Sequence, residues 1–148
     1  MEKNKKVVLG LKKVLGTTFV LYLQAHNFHW NVVGPKFYGY HMMYEGMYNE
    51  LFGVIDDLAE RIRQLGEFAP GTFAKFEEFS LAKPVEEIPT AFEMLEITIE
   101  NYKEIISLLA KTIDAADEAK DSVTIDLLSS FKGSCEKTLW MLNANLES

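Results

Sequence analysis

The stretch from Phe37 to Leu65 constrains the fold most, because it predicts one long helix with two chemically different faces. Apolar side chains recur there in steps of three and four, the spacing of one helical stripe. They are Met43, Met47, Leu51, Val54, Leu58, Ile62 and Leu65. Four side chains that could bind a metal fall within an arc of about 100°, centred roughly 160° from that stripe. They are His41, Glu45, Asp56 and Glu60. The stripe should face the subunit core, and these four side chains should point away from it.

One helix cannot bring these four side chains to a single metal ion. His41 and Asp56 are about 22 Å apart along the axis at 1.5 Å rise per residue, whereas ligand atoms lie about 2 Å from a bound ion. A second, antiparallel copy of the helix, related by a two-fold axis, would place His41 and Glu45 of one chain beside Asp56 and Glu60 of the other. The spacing therefore predicts two sites per dimer, each shared between two subunits.

A simpler interpretation of the same residues stays open. Acidic side chains on an outer helix face are often only solvated, and His41 with Glu45 could be an ordinary i,i+4 pair. His29 favours the metal site, because it lies twelve residues before His41, across the break formed by Val33 to Lys36. A first helix that ends near Asn31 could return His29 to the start of the next helix. Neutral imidazole and carboxylates together suit iron, zinc or manganese.

The segments HNFHWNVVGPKF and DDLAERIRQLG, with His41 twelve residues after His29, resemble the Dps family, the mini-ferritins or DNA-binding proteins from starved cells. The resemblance covers nearly the whole chain and implies a ferroxidase centre at a dimer interface. The residues that match its ligand positions are His29, His41, Glu45, Asp56 and Glu60. The position of Glu45 is more often aspartate in the family, so this longer carboxylate could bind iron directly or through water.

Two aromatic residues lie beside the predicted ligands on the first helix, which we place at residues 5 to 31. Trp30 matches a tryptophan that sits close to the iron site in the resembled family and is thought there to absorb oxidising equivalents. It could also simply pack, as most tryptophans do. His26 could share a face with His29, although an isolated histidine in a helix is more often structural.

The remaining pattern predicts an all-α, ferritin-like four-helix bundle that forms a single domain over residues 1–148. The third and fourth helices are expected at residues 90 to 117 and 122 to 146, with Asp121 or Ser122 as an N-cap. Phe92, Leu95, Ile99, Tyr102, Ile106 and Leu109 form the expected apolar stripe of the third helix. Residues 67 to 90 contain three prolines and predict a crossover connection, in which Thr72 to Ser80 could form a short helix or an ordered loop.

Composition narrows the class of protein. A net charge of −7 argues against a general nucleic-acid binder and suits a protein that attracts cations. No secretory signal is visible, and no apolar run approaches the length of a membrane span. The single cysteine, Cys135, excludes an internal disulfide framework and fits a small buried side chain in a reducing compartment. We therefore expect a cytoplasmic protein without a membrane partner. The sequence lacks the motifs of several other sites: the Glu-x-x-His pairs of ordinary ferritins, the His-Glu-x-x-His and cysteine pairs that bind zinc, and a glycine-rich phosphate loop.

The segment around Asp121 and Asp126, DSVTID, resembles the part of the family that lines acidic three-fold pores. Iron would pass there into a hollow shell. An N-cap role for Asp121 and simple solvation of Asp126 explain the two residues equally well.

The resemblance implies that the chain oxidises Fe²⁺ to Fe³⁺ with hydrogen peroxide, or with oxygen, and stores the mineral in a dodecamer built from two-fold dimers. Zinc or manganese could substitute for iron. One alternative is a DNA-compacting protein, but Lys3, Lys5 and Lys6 form hardly any tail before the first helix, so we expect weak or absent DNA binding. Another is a shell with an inactive site that acts in surface or host interaction.

Overall fold

The computed structural model describes residues 2–147 and consists of helices. They are α1 (Glu2–Asn31), α2 (Phe37–Gln64), α3 (Phe73–Phe79), α4 (Ala91–Glu118) and α5 (Ser122–Ala144). No strand occurs within that range. The four long helices form one bundle, and the connection from α2 to α4 carries the short α3, which packs against α1. The predicted all-α four-helix bundle is confirmed, and the segment after Thr72 is a helix rather than a loop.

Side-chain caps mark the starts of α4 and α5. Thr90 caps α4 through a capping box, in which its hydroxyl accepts from the Glu93 N–H and the Glu93 carboxylate accepts from the Thr90 N–H. Of the two predicted N-caps of α5, Asp121 is the one observed, because its carboxylate accepts from the Thr124 N–H. α1 begins three residues earlier than expected, at Glu2, and α5 ends two residues earlier, at Ala144. Such terminal turns fray easily, and sequence patterns place them poorly.

The predicted apolar stripe of α2 faces the core. Met47, Leu51, Leu58 and Ile62 are buried, and the other members of the stripe are partly buried and pack against the same core. In α4 most of the expected stripe is confirmed, since Leu95, Ile99, Tyr102 and Leu109 are buried and Ile106 packs against the core. Its first member is the exception. Phe92 is 57% exposed, because α4 packs against both α1 and α5 and buries the face centred between them. Met94 takes the core position in that turn.

Two glycines of α1 mark close approaches that the sequence did not reveal. A Cβ atom on Gly10 would lie 2.6 Å from Thr112 Cγ2 on α4, and one on Gly16 would lie 2.7 Å from the backbone oxygen of Phe76 on α3. Glycine weakens a helix interior by about 1 kcal/mol relative to alanine. Here it lets α4 and α3 pack directly against the α1 backbone.

The expectation that no apolar run approaches the length of a membrane span was wrong as stated. α1 is long and apolar enough to cross a membrane by length and composition alone, because Lys12 and Lys13 interrupt it too briefly. Of the most apolar stretch of α1, 56% is buried inside the bundle. α1 is therefore a core helix of this structure, and buried core helices of soluble proteins can be as long and apolar as a membrane span.

Candidate metal centre

The turn between α1 and α2 brings two histidines together. Gly34 adopts a φ of +121°, a conformation that favours glycine, and its carbonyl accepts a hydrogen bond from the Phe37 N–H. This tight reversal places the last turn of α1 beside the first turns of α2. His29 and His41 consequently stack with ring centroids 3.7 Å apart and planes inclined by 14°. The expected return of His29 to the start of the second helix is confirmed.

The two imidazoles hold each other through reciprocal hydrogen bonds. His29 Nδ1–H donates to the His41 backbone carbonyl at 2.7 Å, and His41 Nδ1–H donates to the His29 carbonyl at 2.6 Å. A carbonyl oxygen only accepts, so each Nδ1 must carry the proton. In both neutral rings the lone pair is then on Nε2. Backbone bonds of this kind orient the histidines of metal sites and fix their tautomer.

Glu45 lies next to this pair. Its Oε1 atom is 4.0 Å from His29 Nε2, and its side chain is partly exposed. One turn further along α2 is Tyr48, whose ring meets that of His29 edge-on at 5.3 Å. Partial burial and the Glu45 carboxylate raise the pKa of Tyr48. His29, His41 and Glu45 form the first group of potential ligands, which has two imidazoles and one carboxylate.

Aromatic rings border this first group. His26 stacks on Tyr48 with centroids 3.7 Å apart, and its buried Nδ1 has no hydrogen-bond partner among the described residues. Burial and the neighbouring His29 lower the pKa of His26, so the ring is neutral near pH 7. Trp30 lies 5.2 Å from His26 between centroids but is 62% exposed. Packing within the subunit therefore does not account for Trp30.

The second group lies toward the other end of α2. Asp56, Asp57 and Glu60 are exposed, and carboxylate oxygens of the three lie within 4.8 Å of one another. A shared hydrogen bond with Asp56 and its like charge raise the pKa of Glu60. A bound cation would relieve this repulsion. The sequence interpretation missed Asp57, although its position next to Asp56 and three residues before Glu60 in DDLAE could have indicated it.

The two groups do not meet within one chain. Across residues 2–147 the clustered potential ligand atoms are those of Asp56, Asp57 and Glu60, and neither His29 nor His41 belongs to that cluster. The helical rise separates His41 from Asp56 by about 22 Å. Each subunit thus presents two incomplete ligand sets, one with imidazoles and one with carboxylates only.

Arg61 anchors the carboxylate end of α2 to α5. Its Nη2 atom donates to Asp121 Oδ1 at 2.7 Å, and its Nε atom donates to Thr124 Oγ1 at 2.9 Å. Burial alone would raise the pKa of Asp121, but its hydrogen bonds with Thr124 and the Arg61 charge lower it below the usual value. The Asp121 carboxylate is thus engaged inside the subunit, whereas Asp126 is exposed. The pore role of both residues stays a prediction.

Comparison with known proteins places this geometry in context. A sequence model described as a ferritin-like domain matches residues 8–148. The DNA protection during starvation protein of Brevibacillus brevis is 37% identical over 141 residues, which cover 95% of each chain. The crystal structure of a Dps protein from Bacillus brevis superposes with a TM-score of 0.96 at 35% identity, covering 99% of both chains. A Dps protein from Vibrio cholerae, described as a member of a broad superfamily of ferritin-like diiron-carboxylate proteins, is 26% identical with a TM-score of 0.93, covering 99% of this chain and 92% of that one.

Proposed function

Since the chain belongs to the Dps family of ferritin-like proteins, we propose that it is a ferroxidase that also stores iron. Fe²⁺ is its substrate and binds between two subunits. His29, His41 and Glu45 of one subunit and Asp56 and Glu60 of its two-fold partner supply the ligands. Hydrogen peroxide, or oxygen, is the oxidant, and zinc or manganese can occupy the same donors in place of iron.

The observation that carries this proposal is the division of the ligands into two sets at opposite ends of α2, one of which is completed by His29 of α1. The imidazole set has a single carboxylate, the carboxylate set has no nitrogen ligand, and the two sets lie too far apart to join within a chain. An isologous contact between two antiparallel α2 helices would join them twice, once on each side of the axis. The free Nε2 atoms of His29 and His41 are already held in a binding orientation by their backbone bonds.

The donor chemistry fits the reaction. Imidazole nitrogen suits Fe²⁺, and hard carboxylate oxygens suit the Fe³⁺ that forms. Two Fe²⁺ ions supply one electron each, so H₂O₂ and two protons become two molecules of water and no hydroxyl radical is released. Trp30, exposed beside the imidazole set, is placed to absorb an oxidising equivalent if one iron reacts alone. Glu45 is a direct ligand or acts through a water molecule.

Storage follows from assembly. We propose a dodecamer of two-fold dimers in the cytoplasm, with Fe³⁺ mineral in its cavity and Asp121 and Asp126 at the iron entry pores. Gel filtration should give a mass of roughly twelve times the 16.9 kDa subunit. A dimer alone would refute storage in a shell, although it would leave the shared site in place.

Peroxide-dependent iron oxidation tests the enzymatic proposal. Fe²⁺ is added anaerobically, then H₂O₂, and Fe³⁺ formation is followed by absorbance in the wild type and in the Asp56→Ala, Glu60→Ala double variant. The double variant should form Fe³⁺ at least about tenfold more slowly, because the loss of a residue that only contacts a metal ligand already lowers activity about tenfold or more. The Asp114→Ala, Glu118→Ala variant is the matched control, because it removes an exposed aspartate and an exposed glutamate at the same spacing on α4, away from the proposed ligands. Equal rates in wild type and double variant would refute the ferroxidase and favour a shell with an inactive site that acts in surface or host interaction.

DNA protection is the second candidate function, because the Brevibacillus brevis relative carries that name. Removal of iron and peroxide can protect DNA without contact. Lys3, Lys5 and Lys6 lie in the first turns of α1, which the structure describes from Glu2 onward. With a net charge of −7, we predict no plasmid retardation in a gel-shift assay at about 0.15 M salt, where exposed charges are largely screened. Tight retardation would show that direct binding contributes.

A further inference from the structure

A groove of about 320 Å³ between α2 and α5 gathers most of the methionines of the chain. Met42, Met43 and Met47 line it from α2, and Met141 lines it from α5. Among residues 2–147 the one methionine outside the groove is Met94, which is fully buried in the core. Four methionine side chains from two helices therefore line one groove at the surface of the subunit.

Packing within the subunit explains only part of this set. Met47 is buried and Met43 is half-buried, as expected for the edge of a core. Met42 and Met141 are 42% and 44% exposed in the subunit. Helix propensity alone would be served as well by lysine or glutamate at these two positions. What methionine adds there is a thioether sulfur.

Gly46 keeps the groove open. A Cβ atom at this position would have no other atom within 4 Å, so no close helix contact within the subunit requires glycine. Its cost of about 1 kcal/mol in the interior of α2 is thus not offset by a closer contact inside the subunit. Gly46 is four residues after Met42 and directly before Met47, and the missing side chain leaves the thioethers accessible from solvent.

The charge at the groove favours a cation over a neutral apolar ligand. Glu50 lines the same groove, and no cationic side chain does. Partial burial raises the pKa of Glu50, although Lys137 nearby acts in the opposite direction. The Glu50 carboxylate is thus the acidic group beside the four methionine side chains of the groove.

We infer that the methionine groove binds Cu(I), a soft monovalent cation, at a site distinct from the iron centre. Thioether sulfur selects Cu(I), whereas carboxylate oxygen and imidazole suit iron. Met42 directly follows His41 along α2, but the groove residues of α2 are centred about 120° around the helix from the centre of the proposed iron ligands. The methionine groove and the iron centre are therefore formed by different residues on different faces of α2.

Anaerobic dialysis of the assembled, iron-free protein against a Cu(I)–bicinchoninate solution tests this inference. The wild type should retain about one Cu(I) per chain, with sulfur neighbours in X-ray absorption. The Met42→Leu, Met141→Leu variant should bind at least about tenfold more weakly, since two of four soft donors are lost. Leucine conserves volume, so these exposed substitutions should leave the fold intact.

Two control variants distinguish binding at the groove from binding elsewhere on the chain. Met94→Leu removes a thioether from the core and should leave Cu(I) retention unchanged. The Asp56→Ala, Glu60→Ala variant should also retain Cu(I) as the wild type does. The inference is overturned if the wild type retains no Cu(I), if the groove variant retains as much as the wild type, or if the iron-site variant loses the metal. A coordination shell of nitrogen and oxygen alone would overturn it as well.

Discussion

Replacement of Asp121 by asparagine isolates the ion pair that anchors the carboxylate end of α2. Arg61 and Asp121 are joined at 2.7 Å, and their side chains are only 15% and 10% exposed. Asparagine is as good an N-cap as aspartate, so the cap of α5 on Thr124 can persist. The substitution therefore removes the charge that pairs with Arg61 and little else.

The structure sets the size of the effect. A hydrogen bond to a charged group contributes about 1.5–3 kcal/mol, and the low exposure of this pair leaves little screening by solvent. We expect Asp121→Asn to lower the free energy of unfolding by about 2 kcal/mol at pH 7. For 148 residues the unfolding entropy is about 0.3 kcal/mol/K, which gives a Tm lower by roughly 6 °C. Asp121→Ala also removes the cap and should lower the Tm further, by about 3 °C.

The pH dependence of stability gives an independent check. The pKa of Asp121 in the folded chain lies below its usual value, which is about 4 in an unfolded chain. The stabilisation is thus fully present above about pH 4 and is lost as the pH falls through the lower folded value. The Tm difference between wild type and Asp121→Asn should stay constant from pH 7 to 5 and shrink below pH 4.

Thermal unfolding followed by circular dichroism, at equal protein concentration and with assembly checked by gel filtration, measures these differences. Asp126→Asn is the matched control, because Asp126 is exposed on the same helix and should change stability by less than about 0.5 kcal/mol. Identical midpoints for wild type and Asp121→Asn at pH 7 would refute the argument that this ion pair stabilises the chain.

Two further predictions concern helix packing and the thiol. Gly10→Ala should lower the free energy of unfolding by about 1 kcal/mol, because overpacking against Thr112 outweighs the gain in helix propensity. Gly133→Ala, whose new Cβ atom would meet open space, should raise the free energy of unfolding by about 0.5–1 kcal/mol. Urea unfolding measures both changes, and a Gly10→Ala variant more stable than the wild type would contradict the observed close approach of α4. Cys135 should resist Ellman's reagent at pH 8 until the chain is denatured, because burial raises the pKa of its thiol, and fast labelling of the native protein would contradict its burial.

The sequence predicted the features that depend on neighbours along the chain. Helical periodicity placed α2 within one residue of its observed end, and the cap at Asp121 was evident because its side chain acts on the adjacent turn. The two faces of α2 followed from the same periodicity. Asp56 and Glu60 are exposed as expected, although His41 and Glu45 are half-buried because α1 covers them.

Features that depend on a second helix were not predictable in the same way. The expected stripe of α4 included the exposed Phe92 and left out the buried Met94 and Ile105, because α1 and α5 both cover that helix and its buried face is wider than one stripe. The reciprocal bonds of His29 and His41 depend on the exact meeting of two helix ends, which spacing alone does not give. The roles of Gly10 and Gly16 appear only when another backbone or side chain is seen against them.

Subunit complementation tests the shared centre most directly. A His29→Gln, His41→Gln subunit and an Asp56→Ala, Glu60→Ala subunit, each inactive alone, are co-expressed with different affinity tags, and mixed assemblies are assayed for peroxide-dependent iron oxidation. If one subunit supplies imidazoles and its two-fold partner supplies carboxylates, each mixed dimer holds one intact centre of two. Random pairing should then restore about a quarter of the wild-type activity per chain. Mixed assemblies as inactive as the two parents would contradict the account.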